Sequence, residues 1–323
     1  MWPARLHKRR WMCWILVAKI TNIGIGLLLL LGFFSPERQA DAQTTVSVAV
    51  SILPQKYFVE KIGGERVRAT VMVLPGENPA TYEPRPSQLV AISRSKTYFA
   101  IGVPFERVWL EKFTRINPKI QIVSTERGIE KHAMDTYEDV FSDQGPPWMR
   151  RSGLKKSERE MFMDPHVWLS PPFAMIIARN MLMALCYLDR EHRDEYEENF
   201  KKFQMDIITL DRELRDIFSG IGEKNRFMVF HPAWGYFADA YGLRQIPVEI
   251  EGKEPKPAQL QAIIQYAKRL GIKKIFAQPQ FSTRSLHTIA RAVGAEVSFA
   301  DPLAIEWAGN LKDLALEIRP ALR

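Results

Sequence analysis

The feature that most restricts the fold of this chain is a rhythm that runs twice and is interrupted once. From Val46, β-branched runs alternate with helical patterns: Val46 to Leu53, a helix near Tyr57 to Ile62, Val67 to Leu74, a helix at Ser87 to Ser95, Thr97 to Ile101, a helix from Phe105 to Thr114, and Ile120 to Ser124. Such alternation implies crossover connections, hence a parallel sheet covered by helices. After Gly220-Ile221-Gly222 it restarts, with strands at Phe227 to Phe230, Ile246 to Ile250, Lys274 to Ala277 and Val297 to Ala300. Helices fall through Trp234 to Tyr241, from Pro257 to Leu270, near Leu286 to Val293, and from about Leu311. Between the two stretches lie a helix from Pro172 to Leu188 and a charged segment, Glu191 to Phe218, free of Pro and Gly. As one helix that segment is about 40 Å long at 1.5 Å per residue, enough to cross a small domain.

These patterns predict an α/β protein: two βα lobes, parallel sheets with flanking helices, joined by one long rigid helix. Its 323 residues suit two lobes, because single cores stop growing beyond roughly 250. The expected division is a first lobe at 43–188, a linking helix at 189–221 and a second lobe at 222–323. Residues 126–163 lose periodicity, fill with charges and carry Gly145-Pro146-Pro147, which reads as a long surface loop of the first lobe. No internal sequence repeat is visible.

Residues 1–42 differ from the rest. Arg5, Lys8, Arg9 and Arg10 precede an apolar stretch that is uninterrupted from Ile23 to Phe34, and Ala40-Asp41-Ala42 offers small residues at a cleavage site before Gln43. This reads as a secretory signal peptide, and export from the cytoplasm follows. An uncleaved anchor is the alternative, since Trp11 to Phe34 carries one Lys and is long enough to span a bilayer. Without the segment the chain has 39 Lys and Arg against 35 Asp and Glu, so the net charge of +8 falls to +4. No basic cluster interleaved with aromatics is present, which argues against a nucleic-acid partner. Cys13 lies too early to carry a lipid, and Cys186 is then alone, read as a core thiol on the helix face of Met181, Leu182, Leu185 and Leu188.

Five histidines remain beyond the basic amino terminus. His132 in the charged loop, His192 at the start of the charged helix and His287 near the end read as surface or capping residues. His166 follows Asp164-Pro165 where irregular chain turns into helix, and His231 ends the apolar run Phe227 to Phe230. Asp301 likewise ends Val297 to Ala300. The last two stand at carboxyl ends of strands, where open α/β sheets bind ligands. Each has a structural reading too, as a helix cap or a turn residue. If they converge, two imidazoles and a carboxylate suit Zn²⁺, Mn²⁺ or Fe²⁺ better than Ca²⁺ or Mg²⁺.

The segments Asp164-Pro165-His166-Val167-Trp168-Leu169, Phe230-His231-Pro232-Ala233-Trp234-Gly235-Tyr236-Phe237 and Asp301-Pro302-Leu303 resemble the zinc/manganese solute-binding family of ABC importers. Tyr82-Glu83-Pro84-Arg85-Pro86-Ser87 and Ala277-Gln278-Pro279-Gln280-Phe281-Ser282 follow in the family's order, and the likeness runs nearly end to end. The resemblance implies a monomer that captures Zn²⁺ or Mn²⁺ through His166, His231 and Asp301 and hands it to a membrane permease. It also implies a fourth ligand, a histidine in a Pro-Gly-x-x-Pro-His-x-Tyr-Glu-Pro loop, and here that position is Ala80. A methyl group ligates nothing, so water, Glu83 or loss of tight binding are the alternatives. Two other functions stay open: a metal-independent, adhesin-like binder, and a hydrolase using a three-ligand zinc with an open position.

Overall fold

A computed structural model describes residues 45–136, 163–250 and 252–322. The predicted signal segment and most of the predicted loop at 126–163 lie outside the described residues.

Two four-stranded sheets, every pair parallel, form the two lobes. The first holds β1 (Val46–Val50), β2 (Val67–Val71), β3 (Thr97–Ala100) and β4 (Gln121–Ser124) in the order β2-β1-β3-β4. The second holds β5 (Arg226–Val229), β6 (Arg244–Pro247), β7 (Lys274–Ala277) and β8 (Glu296–Phe299) in the order β6-β5-β7-β8. The two orders are identical, a repeat of topology that the sequence does not show as repeated residues. Each sheet therefore has its switch point between its first and third strands, where a crevice opens at the carboxyl ends.

In the first lobe the helices are α1 (Leu53–Gly63), α2 (Pro86–Arg94) and α3 (Pro104–Ile116). Next come α4 (Pro171–Leu188) and the long α5 (Arg193–Ile217). The second lobe adds α6 (Gly235–Ala240), α7 (Pro257–Leu270), α8 (Arg284–Val293) and α9 (Trp307–Ala321). Proline opens α2, α3, α4 and α7, where its missing N–H costs nothing. Gly271 and Gly294 end α7 and α8 at φ 65°, a left-handed conformation that favours glycine.

Several boundaries differ from the sequence expectation, and three have a clear physical cause. Strand β1 stops at Val50 because Leu53 already begins α1, with Pro54 in its first turn. Strand β6 begins at Arg244 because Gly242, at φ 69°, turns the chain there; Gln245 is buried although polar. Helix α9 starts at Trp307 because that indole is buried.

Helix α5 runs about 37 Å at 1.5 Å per residue. Its buried residues, Tyr196, Phe203, Ile207, Leu210 and Leu214, recur at helical spacing and form one stripe. The stripe packs on α1 and α4 on one side and α9 on the other, so one core is continuous across the lobes. Phe58 of α1, Phe203 of α5 and Trp307 of α9 meet there, the Phe58 and Trp307 rings at 4.9 Å and 86°. A second core fills the second lobe beneath α7 and α8. Cys186 is only partly buried, on the flank of α4.

Candidate metal centre

At the switch point of the first lobe, polar side chains bond one another. Ser51, Gln55, Tyr98, Glu106 and Thr125 are buried at the ends of β1, β3 and β4. Glu106 receives Ser51 Oγ and the amides of Ile101 and Gly102, both at 2.8 Å. Burial pushes its carboxyl up to about 7, and the three donors moderate that rise. The carboxyl ends of the second sheet carry a different set of side chains. His231 follows β5, Glu249 follows β6, Gln278 and Gln280 follow β7, and Asp301 follows β8.

His166 reaches this crevice from the segment before α4, and its local sequence dictates its posture. Pro165 has no N–H, so the first amide free to meet the Asp164 carboxylate is that of His166, at 2.9 Å from Oδ1. The same Oδ1 accepts Nδ1 of the His166 ring at 2.7 Å. A 3₁₀ turn, Val167–Leu169, follows at once. Its Trp168 donates Nε1 to Pro302 O at 2.7 Å, and Trp307 Nε1 donates to Trp168 O at 2.7 Å. Two buried indoles thus fasten the turn carrying His166 to the turn carrying Asp301.

The structure brings His166 and His231 together, ring centroids 5.1 Å apart and edge to face at 71°. His231 Nδ1 lies 2.9 Å from Glu249 Oε1. Phe281 stacks on the His231 ring at 4.8 Å and 24°. Gln278 brackets the His231 backbone, accepting its N–H at 3.0 Å and donating to its carbonyl at 2.8 Å. Each Nδ1 carries the proton toward a carboxylate, which leaves each Nε2 as a free lone pair. Burial lowers the proton affinity of His166, Asp164 opposes that shift, and neighbouring His231 adds to it.

The electrostatics of this pair suit a cation. Asp164 is fully buried and Glu249 is 6% exposed. Each gives one oxygen to an imidazole, while Asp164 Oδ2 and Glu249 Oε2 have no hydrogen-bond partner among the described residues. Among the described residues neither is ion-paired to a Lys or Arg. Two buried carboxylates with unpartnered oxygens are costly unless positive charge joins them; the His132 imidazolium supplies some near Asp164, and Glu249 has no Lys or Arg partner among the described residues.

Asp301 is held within its own turn and does not join this pair. Its Oδ1 accepts Gln280 Nε2 at 2.7 Å and the Leu303 amide at 2.9 Å. Among the described residues no three His, Cys, Asp or Glu side chains are gathered closely enough to hold an ion. Ala80 and Glu83 are both exposed in the loop before α2.

Two further groups were missed or misread in the sequence. Glu249 is one; a glutamate two residues beyond a strand carries no signal of its own, whereas Asp164 sits inside the Asp-Pro-His segment. His132 is the other: it is packed against Tyr236, with centroids 4.1 Å apart, rather than free at the surface. Its Nε2 lies 3.1 Å from Asp239 Oδ2, a charge pair without hydrogen-bond alignment. Burial opposes its charging, yet Asp239, the Ala133 carbonyl and Asp164 together raise it to about 9. Gly235 makes room for this packing, since a Cβ there would meet Asp164 Oδ2 at 2.8 Å. His192 pairs with Asp189 at the start of α5, and His287 is exposed on α8, as read from the sequence.

Comparison with known proteins identifies the family. Residues 48–313 match the family model described as zinc-uptake complex component A, periplasmic. The chain is 25% identical over 296 residues to the high-affinity zinc uptake system protein ZnuA of Bacillus subtilis, covering 90% of this chain and 86% of that one. It is 24% identical over 259 residues to the manganese ABC transporter substrate-binding lipoprotein PsaA of Streptococcus anginosus, covering 77% and 78%. A crystal structure of ZnuA superposes with a TM-score of 0.76 at 38% identity, covering 86% of this chain and 99% of that one. The chain belongs to the zinc-uptake component A family, the zinc and manganese solute-binding proteins of ABC importers.

Proposed function

We propose that this protein binds one Zn²⁺ or Mn²⁺ ion as cargo outside the cytoplasm, with His166 and His231 as its first two ligands through Nε2. The observation that carries this reading is the imidazole pair at 5.1 Å, each Nδ1 turned to a buried carboxylate. Asp301 is the third ligand, brought in from the turn that Trp168 and Trp307 fasten to His166. Water completes the coordination where the family loop has a side chain and this chain has Ala80. The two orphaned carboxylate oxygens favour a doubly charged ion over a proton or an alkali ion.

The protein works as a monomeric receptor, without a nucleic-acid partner, and not as an enzyme. Its segment at 1–42 directs export and is removed before Gln43, and a membrane permease takes the ion from the lobe-bounded site. The divisions at 43–188, 189–221 and 222–323 serve as first lobe, linking helix and second lobe. Because the ligands bind metal only when deprotonated, affinity falls as pH drops through the imidazole range.

Isothermal titration of the metal-free protein with Zn²⁺ and Mn²⁺, beside a His166→Ala/His231→Ala double variant, tests the reading. One saturable site per chain, lost in the variant, is the expected outcome. Saturable binding that survives in the variant, or none in the wild type, rejects it.

A further inference from the structure

The turn after β7 touches both groups that the second lobe contributes. Gln278 is fully buried and holds the His231 backbone from both sides. Two residues on, Gln280 donates its amide to Asp301 Oδ1. Pro279 between them fixes one backbone angle. A single Gln-Pro-Gln turn therefore sets His231 and Asp301 relative to each other.

The geometry at Asp301 goes further. A carboxylate oxygen has two lone pairs, and Oδ1 already accepts two donors, Gln280 Nε2 at 2.7 Å and the Leu303 amide at 2.9 Å. Only Oδ2 is left for an ion, so Asp301 can bind through one oxygen and not chelate through two. The opposite end of the same amide, Gln280 Oε1, is buried and has no hydrogen-bond partner among the described residues. Its orientation is fixed chemically: an ionised Asp301 demands the amide N–H, so the carbonyl must face away from it. A buried acceptor beside Asp301 calls for a donor, and a water on an ion held by Asp301 would be one.

We propose that Gln280 is a specificity-determining positioning residue, which holds Asp301 to one oxygen and accepts a hydrogen bond from the metal-bound water. This rests on the metal-capture reading above. Its consequence is selectivity for zinc. A site of two imidazoles, one carboxylate oxygen and one water is four-coordinate, the arrangement Zn²⁺ takes. Manganese is served better by more oxygen ligands, which a chelating carboxylate would supply and Gln280 denies.

Co²⁺ serves as the probe, because the intensity of its visible bands separates four-coordinate from five- or six-coordinate sites. Wild-type protein, Gln280→Met and Gln280→Glu are loaded with Co²⁺, and Zn²⁺ and Mn²⁺ affinities are measured for each by competition. Methionine conserves volume with no donor and only a weak acceptor; glutamate keeps an acceptor and loses the donor. Thermal melting of the metal-free proteins identifies any variant that fails to fold, and the other then carries the test. The expected result is an intense four-coordinate spectrum in the wild type that weakens in the variants. The ratio of Zn²⁺ to Mn²⁺ affinity should fall about tenfold, the lower end of what losing an outer partner of a ligand costs. Folded variants with wild-type spectrum and ratio overturn the role of Gln280 while leaving metal capture intact. A wild type that takes up no Co²⁺ overturns both.

Discussion

The imidazoles of His166 and His231 stand edge to face at 5.1 Å, though they lie 65 positions apart in sequence, one before α4 and the other after β5. Each is aimed by a carboxylate that the chain buries behind it, Asp164 at 2.7 Å and Glu249 at 2.9 Å. Aim and charge thus come from the same two residues. The arrangement orients both lone pairs and supplies the negative charge that a divalent ion neutralises.

If Glu249 acts this way, Glu249→Gln should fold normally and bind metal more weakly. The amide oxygen can still accept the imidazole proton, so the ring keeps its tautomer, but the buried charge is gone. A loss of about 10- to 100-fold in Zn²⁺ affinity is expected, the usual cost of removing a partner behind a ligating histidine. Competition titration against a chromophoric chelator measures it. Unchanged affinity would assign Glu249 to the scaffold alone.

Trp168→Phe should weaken the join between the two turns. The substitution keeps an aromatic ring in the buried site and deletes the donor to Pro302 O, leaving that carbonyl without its indole partner. Unfolding in urea should show a loss of about 1–3 kcal/mol, the cost of an orphaned buried acceptor plus some lost volume. Metal affinity should also fall, because Asp301 lies one residue from the freed carbonyl.

The pair between His132 and Asp239 predicts a pH dependence to be read in the metal-free protein, where Asp164 and the buried Asp135 face the same imidazole. The folded-state value of His132, about 9, lies above its ordinary 6.5. Its contribution is therefore fully present below pH 6.5 and is lost as pH rises through about 9. Asp239 is largely exposed, so the pair is worth at most about 1 kcal/mol. The melting temperature of Asp239→Asn should lie below that of the wild type at pH 6, with the gap closing by pH 10. A gap that widens with pH would contradict the assignment.

Much of the fold was legible because periodicity is a local signal. Strand and helix alternation located both sheets, and the Pro- and Gly-free stretch foretold the long helix now seen as Arg193–Ile217. Errors gathered where tertiary contacts override the pattern: polar Gln245 is buried in β6, and Trp307 starts its helix early to reach Trp168. At the site, His166, His231 and Asp301 stood out through their place beside apolar runs and Asp-Pro steps. Glu249 did not, because its role depends on β6 lying beside β5, a pairing that no neighbouring residue announces. His132 was misread for the same reason, its partners Tyr236 and Asp239 being about a hundred residues away. The identical strand order of the lobes was likewise invisible, since topology repeats here without residue identity.

Diffraction from crystals grown with Zn²⁺, recorded at the zinc absorption edge, tests the central claim most directly. One strong anomalous peak per chain is expected, about 2.1 Å from Nε2 of both His166 and His231 and at bonding distance from Asp301 Oδ2. A peak placed elsewhere, or none between these two imidazoles, would contradict it.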